Sequence, residues 1–382
     1  MRTWATLLLC FWLAACAEAP VAPASAALFD DAHFAAPSER IDASDVFALS
    51  DEMRHYLDTT MAEALRQKGR QGGLIDALYK QGQLKLEYDV TLTRNAAQAF
   101  AARSGNCLSL VIMTAAFAKA LDLQVGYQSA YTDATWSRSG DLYFRSGHVN
   151  IVLGQRLMDR GGDGDPNRLM IDFLPADELR GLRTMAISEA TVVAMYMNNR
   201  AAEALAQARL DDAYAWAREA MRQSPSFLGA WNTLGVIYLR HGDRALADRV
   251  FAEVLQREPA NAQALSNRAQ LLDQLGRADE AQALRRRLAQ VEPYPPFHFF
   301  DLGMAAMQRG EVAAARELFA KEVERAAYHP EFQYWLGLAS FRLGDLDAAR
   351  KHLGLAVEGS ATRGERDLYA AKLAWLRSYR RQ

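Results

Sequence analysis

Cysteine is scarce in this chain, with three residues at positions 10, 16 and 107. Cys107 follows Arg103-Ser104-Gly105-Asn106 and opens a run, 107–121, that carries one charge, Lys119. Asn106 is a good N-cap, Gly105 permits a sharp turn before it, and Lys119 lies where the helix dipole favours a cation. The spacing predicts a helix over 107–121, apolar on nearly every side and buried at the centre of its domain. A thiol in the first turn of such a helix meets unpaired backbone N–H groups and the positive end of the dipole. Both favour its ionised, nucleophilic form.

Two further residues could serve that thiol. His148 lies in Gly147-His148-Val149-Asn150-Ile151-Val152-Leu153, whose alternation predicts a strand with His148, Asn150 and Val152 on one face. Asp172 lies in Leu169-Met170-Ile171-Asp172-Phe173-Leu174, which reads as an interior strand ending at Pro175. An unpaired carboxylate is costly there, and an imidazole would supply its partner. If the two strands pair antiparallel, His148 and Asp172 come within a few residues of register, and the register itself stays open. The alternatives are a small buried core thiol, a hydrogen-bonded strand histidine and a strand-end carboxylate.

The elements that must position these groups are predicted as helices over 44–69 and 72–82, broken at Gly72-Gly73, and a short strand over 84–92. A helix over 95–102 and a strand over 125–131 complete them. The order Cys, His, Asp resembles the transglutaminase-like superfamily over roughly residues 80–180. Ser104-Gly105-Asn106-Cys107-Leu108-Ser109-Leu110, Gly147-His148-Val149-Asn150 and Ile171-Asp172-Phe173 carry the resemblance.

The resemblance implies an α+β papain-like domain over 44–193 that needs no cofactor. In that superfamily the thiolate, here Cys107, attacks an amide or ester carbonyl, and the resulting thioester is resolved by water or an amine. It implies His148 as the base and Asp172 as the group orienting the imidazole. Many members carry an aromatic residue two positions after the histidine, where this chain has Asn150. The backbone N–H of Cys107 is one oxyanion donor by the same reading, with Asn106 and Tyr131 as candidates for a second. Asp163-Gly164-Asp165-Pro166-Asn167 has the oxygen spacing that starts a calcium loop. Arg168 and Leu174 replace the glycine and glutamate such a loop needs, so a hairpin loop is expected and no metal site.

The first residues read as an address. Met1-Arg2, an apolar stretch from Trp4 to Leu13, and Ala14-Ala15 predict a signal peptide over 1–15. Leu13-Ala14-Ala15-Cys16 resembles the lipobox of bacterial lipoproteins. That resemblance implies lipidation at Cys16, a lipidated N-terminus and linker over 16–43, and a lipid-anchored place in the bacterial envelope. The periplasmic face of the outer membrane is the expected site, and the mature chain would keep one thiol, Cys107. Ordinary cleavage near Ala19 or Ala24 is the alternative.

From about residue 194 the chain repeats every 34 residues. Ala213, Ala247, Ala281, Ala315 and Ala349 share a column; so do Ala208, Gly242, Gly276, Gly310 and Gly344, and Ala201, Gly235, Ala269, Gly303 and Gly337. Small residues let paired helices approach and glycine turns the chain between them. This resembles the tetratricopeptide pattern, best seen in Trp231, Leu234, Gly235, Tyr238, Ala247, Phe251 and Pro259. Five repeats over 194–363 and a capping helix over 364–382 are expected, hence an all-α solenoid. Such arrays bind proteins or peptides on a concave face. By family position that face includes Asn198, Asn232, Phe297, Phe300, Met304, Met307, Tyr334, Leu338 and Phe341. A hydrophobic groove and packing against the cap or the first domain are both open for its aromatic part.

Composition sets the outer limits. The chain has 382 residues, half of them hydrophobic and 24% charged, with a net charge of −2. That excludes a mainly disordered chain and argues against nucleic acid as a partner. Two function classes remain: a thiol-dependent amide hydrolase or acyl transferase, and a catalytically silent scaffold recruiting envelope proteins.

Overall fold

The computed structural model describes residues 28–80, 86–88, 92–139, 142–154, 169–173, 183–327, 329–360 and 363–379. The expected signal peptide, Cys16 and the loop 163–167 lie outside these residues.

The first domain opens with α1 (Asp51–Asp58) and α2 (Thr60–Ile75), followed by β1 (Glu87–Tyr88), α3 (Ala96–Ala102), β2 (Ser104–Gly105) and α4 (Cys107–Ala120). Then come β3 (Gln124–Ser139), β4 (Leu142–Gly154), β5 (Leu169–Ile171) and β6 (Arg183–Ile187), which form an antiparallel sheet in the order β5-β4-β3-β6. Helix α4 is apolar all round, and every residue from Cys107 to Ala118 is buried. It lies against β3 and β4 on one side and α2 and α3 on the other, so the helix that starts at the thiol is the centre of the core.

The local breaks differ from expectation. The helix expected over 44–69 is divided at Thr59, and Gly72-Gly73 stays within α2. The kink falls at Gly69, whose φ of 71° suits glycine. Gly73 is required by proximity instead, since a Cβ there would lie 2.6 Å from the Leu65 backbone. Of the strand expected over 84–92, only Glu87–Tyr88 pairs among the described residues, in parallel with Ser104–Gly105. Strand β5 ends at Ile171, so Asp172 stands just past its end.

The second half is a solenoid of helix pairs: α5 (Glu189–Ala206) with α6 (Leu210–Gln223), α7 (Leu228–His241) with α8 (Arg244–Arg257), and α9 (Ala262–Gln274) with α10 (Ala278–Val291). It continues with α11 (His298–Gln308) and α12 (Val312–Arg325), α13 (Pro330–Arg342) and α14 (Leu346–Glu358), and closes on α15 (Arg363–Tyr379). The small-residue columns have three separate physical jobs. The alanines from Ala213 to Ala349 are fully buried between helices. Gly235 and Gly303 let the rings of Phe251 and Phe319 lie where a Cβ would sit, 2.6 Å away at Gly303. The turn column takes positive φ throughout, from 57° at Ala208 to 101° at Gly242. Pro330 opens α13 at its first turn.

The first domain and the solenoid share one core. Val192, Val193, Tyr196 and Met197 of α5 belong to the same buried cluster as α4, and that cluster runs on to Leu284. At the start of α5, Glu189 accepts a hydrogen bond from Tyr127 of β3 (2.9 Å) and pairs with Lys119 of α4 (2.5 Å). Residues 28–43, expected as part of a linker, are packed as a strap across the first repeats. The backbone N–H of Asp30 donates to Tyr214, Tyr238 donates to the Leu28 carbonyl (2.7 Å), and Phe34 stacks on Tyr214 at 4.0 Å. Ser38 and Glu39 bind Asp212 and Arg200. No described helix is long and apolar enough to cross a membrane.

Candidate active site

The turn that delivers Cys107 is built from four residues. Arg103 ends α3 in the left-handed region (φ 53°), so the reversal falls there and not at Gly105. Gly105 is needed for closeness: a Cβ would meet that of Ser109 at 2.6 Å. Asn106 then caps α4, its Oδ1 accepting from the Ser109 N–H and hydroxyl, both at 2.9 Å. By helix geometry the N–H groups of Cys107 and Leu108 have no carbonyl one turn back. Cys107 is buried, retaining 6% exposure.

His148 and Asp172 meet as an ion pair with both side chains 4% exposed, Nε2 to Oδ1 at 2.6 Å. The pairing of Ile151 with Ile171, carried one residue further, sets Asp172 opposite Asn150 and diagonal to His148. Asn150 uses that place. It is 1% exposed, and its Nδ2 donates to Asp172 Oδ2 at 3.3 Å. The Cys107 sulfur lies close enough to the imidazole to act on its proton affinity.

Burial by itself would lower the pKa of His148. The hydrogen bonds to Asp172 and Cys107, with the charges of both, outweigh burial and raise it to about 9. The shift favours the imidazolium form of the ring, a donor at both nitrogens. Such a ring can hold a thiolate, protonate a departing amine, and in its neutral form deprotonate water. Among the described residues no cluster of His, Cys, Asp or Glu is arranged to hold a metal ion.

Of the three residues expected to act together, His148 and Asp172 are in direct contact, and Cys107 is near enough to shift the histidine. The second oxyanion donor is not supplied by the Asn106 side chain. Its Nδ2 donates to Thr93 Oγ1 at 2.9 Å and its Oδ1 is engaged in the cap. The side chain of Tyr131 lies outside the described residues. Thr93, Asn199 and Glu203, which adjoin Asn106 or Thr93, were not singled out by the sequence. Their signal is a tertiary contact between segments about a hundred residues apart.

The expected groove residues divide. Phe297 and Phe300 are 1% exposed and Met307 is buried with them against Phe319 and Phe332, so they form the interior of a repeat and do not line a free groove. Tyr334 stacks on Tyr369 at 4.7 Å and Phe341 meets Trp375 at 5.1 Å, both covered by α15. Asn232 is buried and accepts from Asn267. Asn198, Met304 and Leu338 are half-buried, and Asn198 Oδ1 is buried without a hydrogen-bond partner.

The tetratricopeptide repeat family model matches residues 232–295 and 300–363. Residues 232–363 of the all-α solenoid are thus made of tetratricopeptide repeats. Among solved structures, one from a functional study of Pseudomonas aeruginosa pilF is 22% identical, covering 49% of this chain and 85% of its own, with a TM-score of 0.31. A thermophilic tetratricopeptide protein of Thermus thermophilus is 18% identical over 47% of this chain and 99% of its own, with a TM-score of 0.30. YrrB, described as a repeat protein with an unusual peptide-binding site, is 20% identical over 47% of this chain and 92% of its own, at a TM-score of 0.25. No curated protein matches the chain.

Proposed function

We propose that the chain is a thiol-dependent amide hydrolase or acyl transferase, of transglutaminase-like or papain-like type, acting on a peptide or protein. The observation that carries this reading is one buried imidazole bonded to the Asp172 carboxylate at 2.6 Å and acted on by the Cys107 sulfur at the start of α4. The Cys107 thiolate adds to the carbonyl carbon, and the N–H groups at the start of α4 receive the developing oxyanion. His148 gives its proton to the leaving amine as the C–N bond breaks, leaving a thioester. Neutral His148 then takes a proton from water or an acceptor amine, which attacks the thioester and releases the thiolate. Asp172 holds the ring throughout.

The repeats would bind the protein or peptide partner, with Asn198, Met304 and Leu338 as the groove positions left available. A lipid on Cys16 would hold the assembly at the envelope, on the periplasmic face of the outer membrane. The repeats also favour a second reading, a scaffold that recruits envelope proteins without turnover, since arrays of this family serve as platforms for protein partners.

The test is capture of a covalent intermediate. Envelope peptides incubated with the wild-type chain should leave an acyl adduct on Cys107, seen by mass spectrometry and removed by hydroxylamine. Partner capture that survives Cys107→Ala, with no adduct on the wild type, would establish the scaffold instead.

A further inference from the structure

Helix α4 is capped by a side chain that is itself held from another part of the molecule. Asn106 caps through Oδ1, and the direction of that oxygen is set by where its Nδ2 points. It points at Thr93, a residue 2% exposed, whose Oγ1 accepts from Asn106 Nδ2 at 2.9 Å and from Asn199 Nδ2 at 3.2 Å. The Thr93 N–H donates to Glu203 Oε1 at 2.6 Å. Its neighbour Arg94 donates its N–H to Ser109 Oγ at 2.8 Å, closing the network on the first turn of α4. Asn199 and Glu203 lie one turn apart on one face of α5, the first helix of the solenoid. Between them, Arg200 continues the chain to Glu203 at 3.7 Å and to Glu39 of the strap at 3.1 Å.

We propose that Thr93 is a positioning residue for the Cys107 thiolate, acting through Asn106, and that the first helix of the repeats supplies the groups that hold it. The proposal rests on the reading of Cys107 as the nucleophile. Its physical content is that the cap and the sulfur share one helical turn. Removal of Oγ1 leaves two half-buried carboxamide N–H groups without this acceptor, which releases Asn106 to turn towards other partners. The Ser109 N–H then loses its cap, the first turn loosens, and the N–H groups that favour the thiolate lose their alignment. The repeat array is on this view part of the reactive site and not a separate module tied to it.

The experiment is the rate of Cys107 alkylation by iodoacetamide as a function of pH in the full chain, with a thermal melt for each variant. Thr93→Val, which keeps the shape and removes the hydroxyl, should slow labelling at acidic pH by roughly tenfold, moving the profile up by about one pH unit. Thr93→Ser, which keeps the hydroxyl, should restore the wild-type profile. Asn199→Leu, which alters only the repeat side of the contact, should move the profile in the same direction as Thr93→Val. A folded Thr93→Val whose profile coincides with wild type overturns the proposal; if that variant does not fold, a wild-type profile for Asn199→Leu overturns it. The wild-type curve is a separate arm: an ordinary thiol profile there removes the nucleophile reading itself, whatever the variants do.

Discussion

Two donors converge on the carboxylate of Asp172, His148 on Oδ1 and Asn150 on Oδ2, so the orientation of the acid is fixed from both sides. Asn150→Asp would place a second carboxylate against the first in a buried site, where two such groups share a proton instead of both ionising. That variant should lose about 1–3 kcal/mol at neutral pH and regain part of it near pH 5, a reversal that urea denaturation at the two pH values would detect. The imidazole gives a second prediction, with its sign set by the direction of its shift. Its folded pKa of about 9 lies above the ordinary value of 6.5, so its contribution to stability is complete below that value and fades as pH rises through about 9. The difference in Tm between wild type and His148→Gln should therefore be largest at about pH 6 and smallest above about pH 9.5. The three residues were legible in the sequence because a thiol, an imidazole and a lone carboxylate in apolar segments are each unusual. Asn150 as a donor to the acid was not, because only the register of β4 and β5 sets it opposite Asp172.

Helix pairs show where local pattern is enough and where it fails. The repeat was legible because each small-residue column answers to a contact inside one hairpin. The same columns predict how substitutions behave. Ala208 occupies the turn place that glycine holds in the later repeats, with φ 57°. Ala208→Gly should stabilise the chain by about 0.5–1 kcal/mol, the relief of a left-handed alanine less the added freedom of the unfolded glycine. Gly303→Ala should do the reverse, costing about 1–3 kcal/mol because the new methyl meets the Phe319 ring at 2.6 Å. Denaturant titration of both variants checks the opposed signs. Spacing was less informative about the aromatic positions 297, 300, 334 and 341. It marks the side of a helix that faces inward along the array, but not whether a neighbouring helix already fills that side. Gly72-Gly73 failed for a related reason: glycine marks either a break or a close contact, and only the contact of Gly73 with Leu65 separates the two.

At the scale of the whole molecule, buried contacts divide the chain in a way its domain organisation does not suggest. One apolar cluster joins the strap, the first domain and the first three helix pairs, from Leu28 to Leu284. Separate clusters hold α11 to α13 and the junction of α14 with α15. In a repeat array, stability is roughly a sum of unit and interface terms, so a gap between clusters is where cooperativity weakens. The helix next to the gap is also sparsely buried: α10 buries only Ala281 and Leu284. The last two repeats and the cap should therefore open without the rest. Hydrogen exchange followed by mass spectrometry on the full chain should show α11–α15 exchanging faster than α4–α7, and the peptides of α4 and α5 exchanging together. Coincident exchange over all of these helices would mean that the clusters communicate through α10 strongly enough to act as one unit. Independent exchange of α4 and α5 would mean that the shared core does not bind the first domain to the repeats. The expected pattern would leave the thiol and its positioning network in the most persistent part of the molecule, and the far repeats free to adjust to a bound partner without disturbing it.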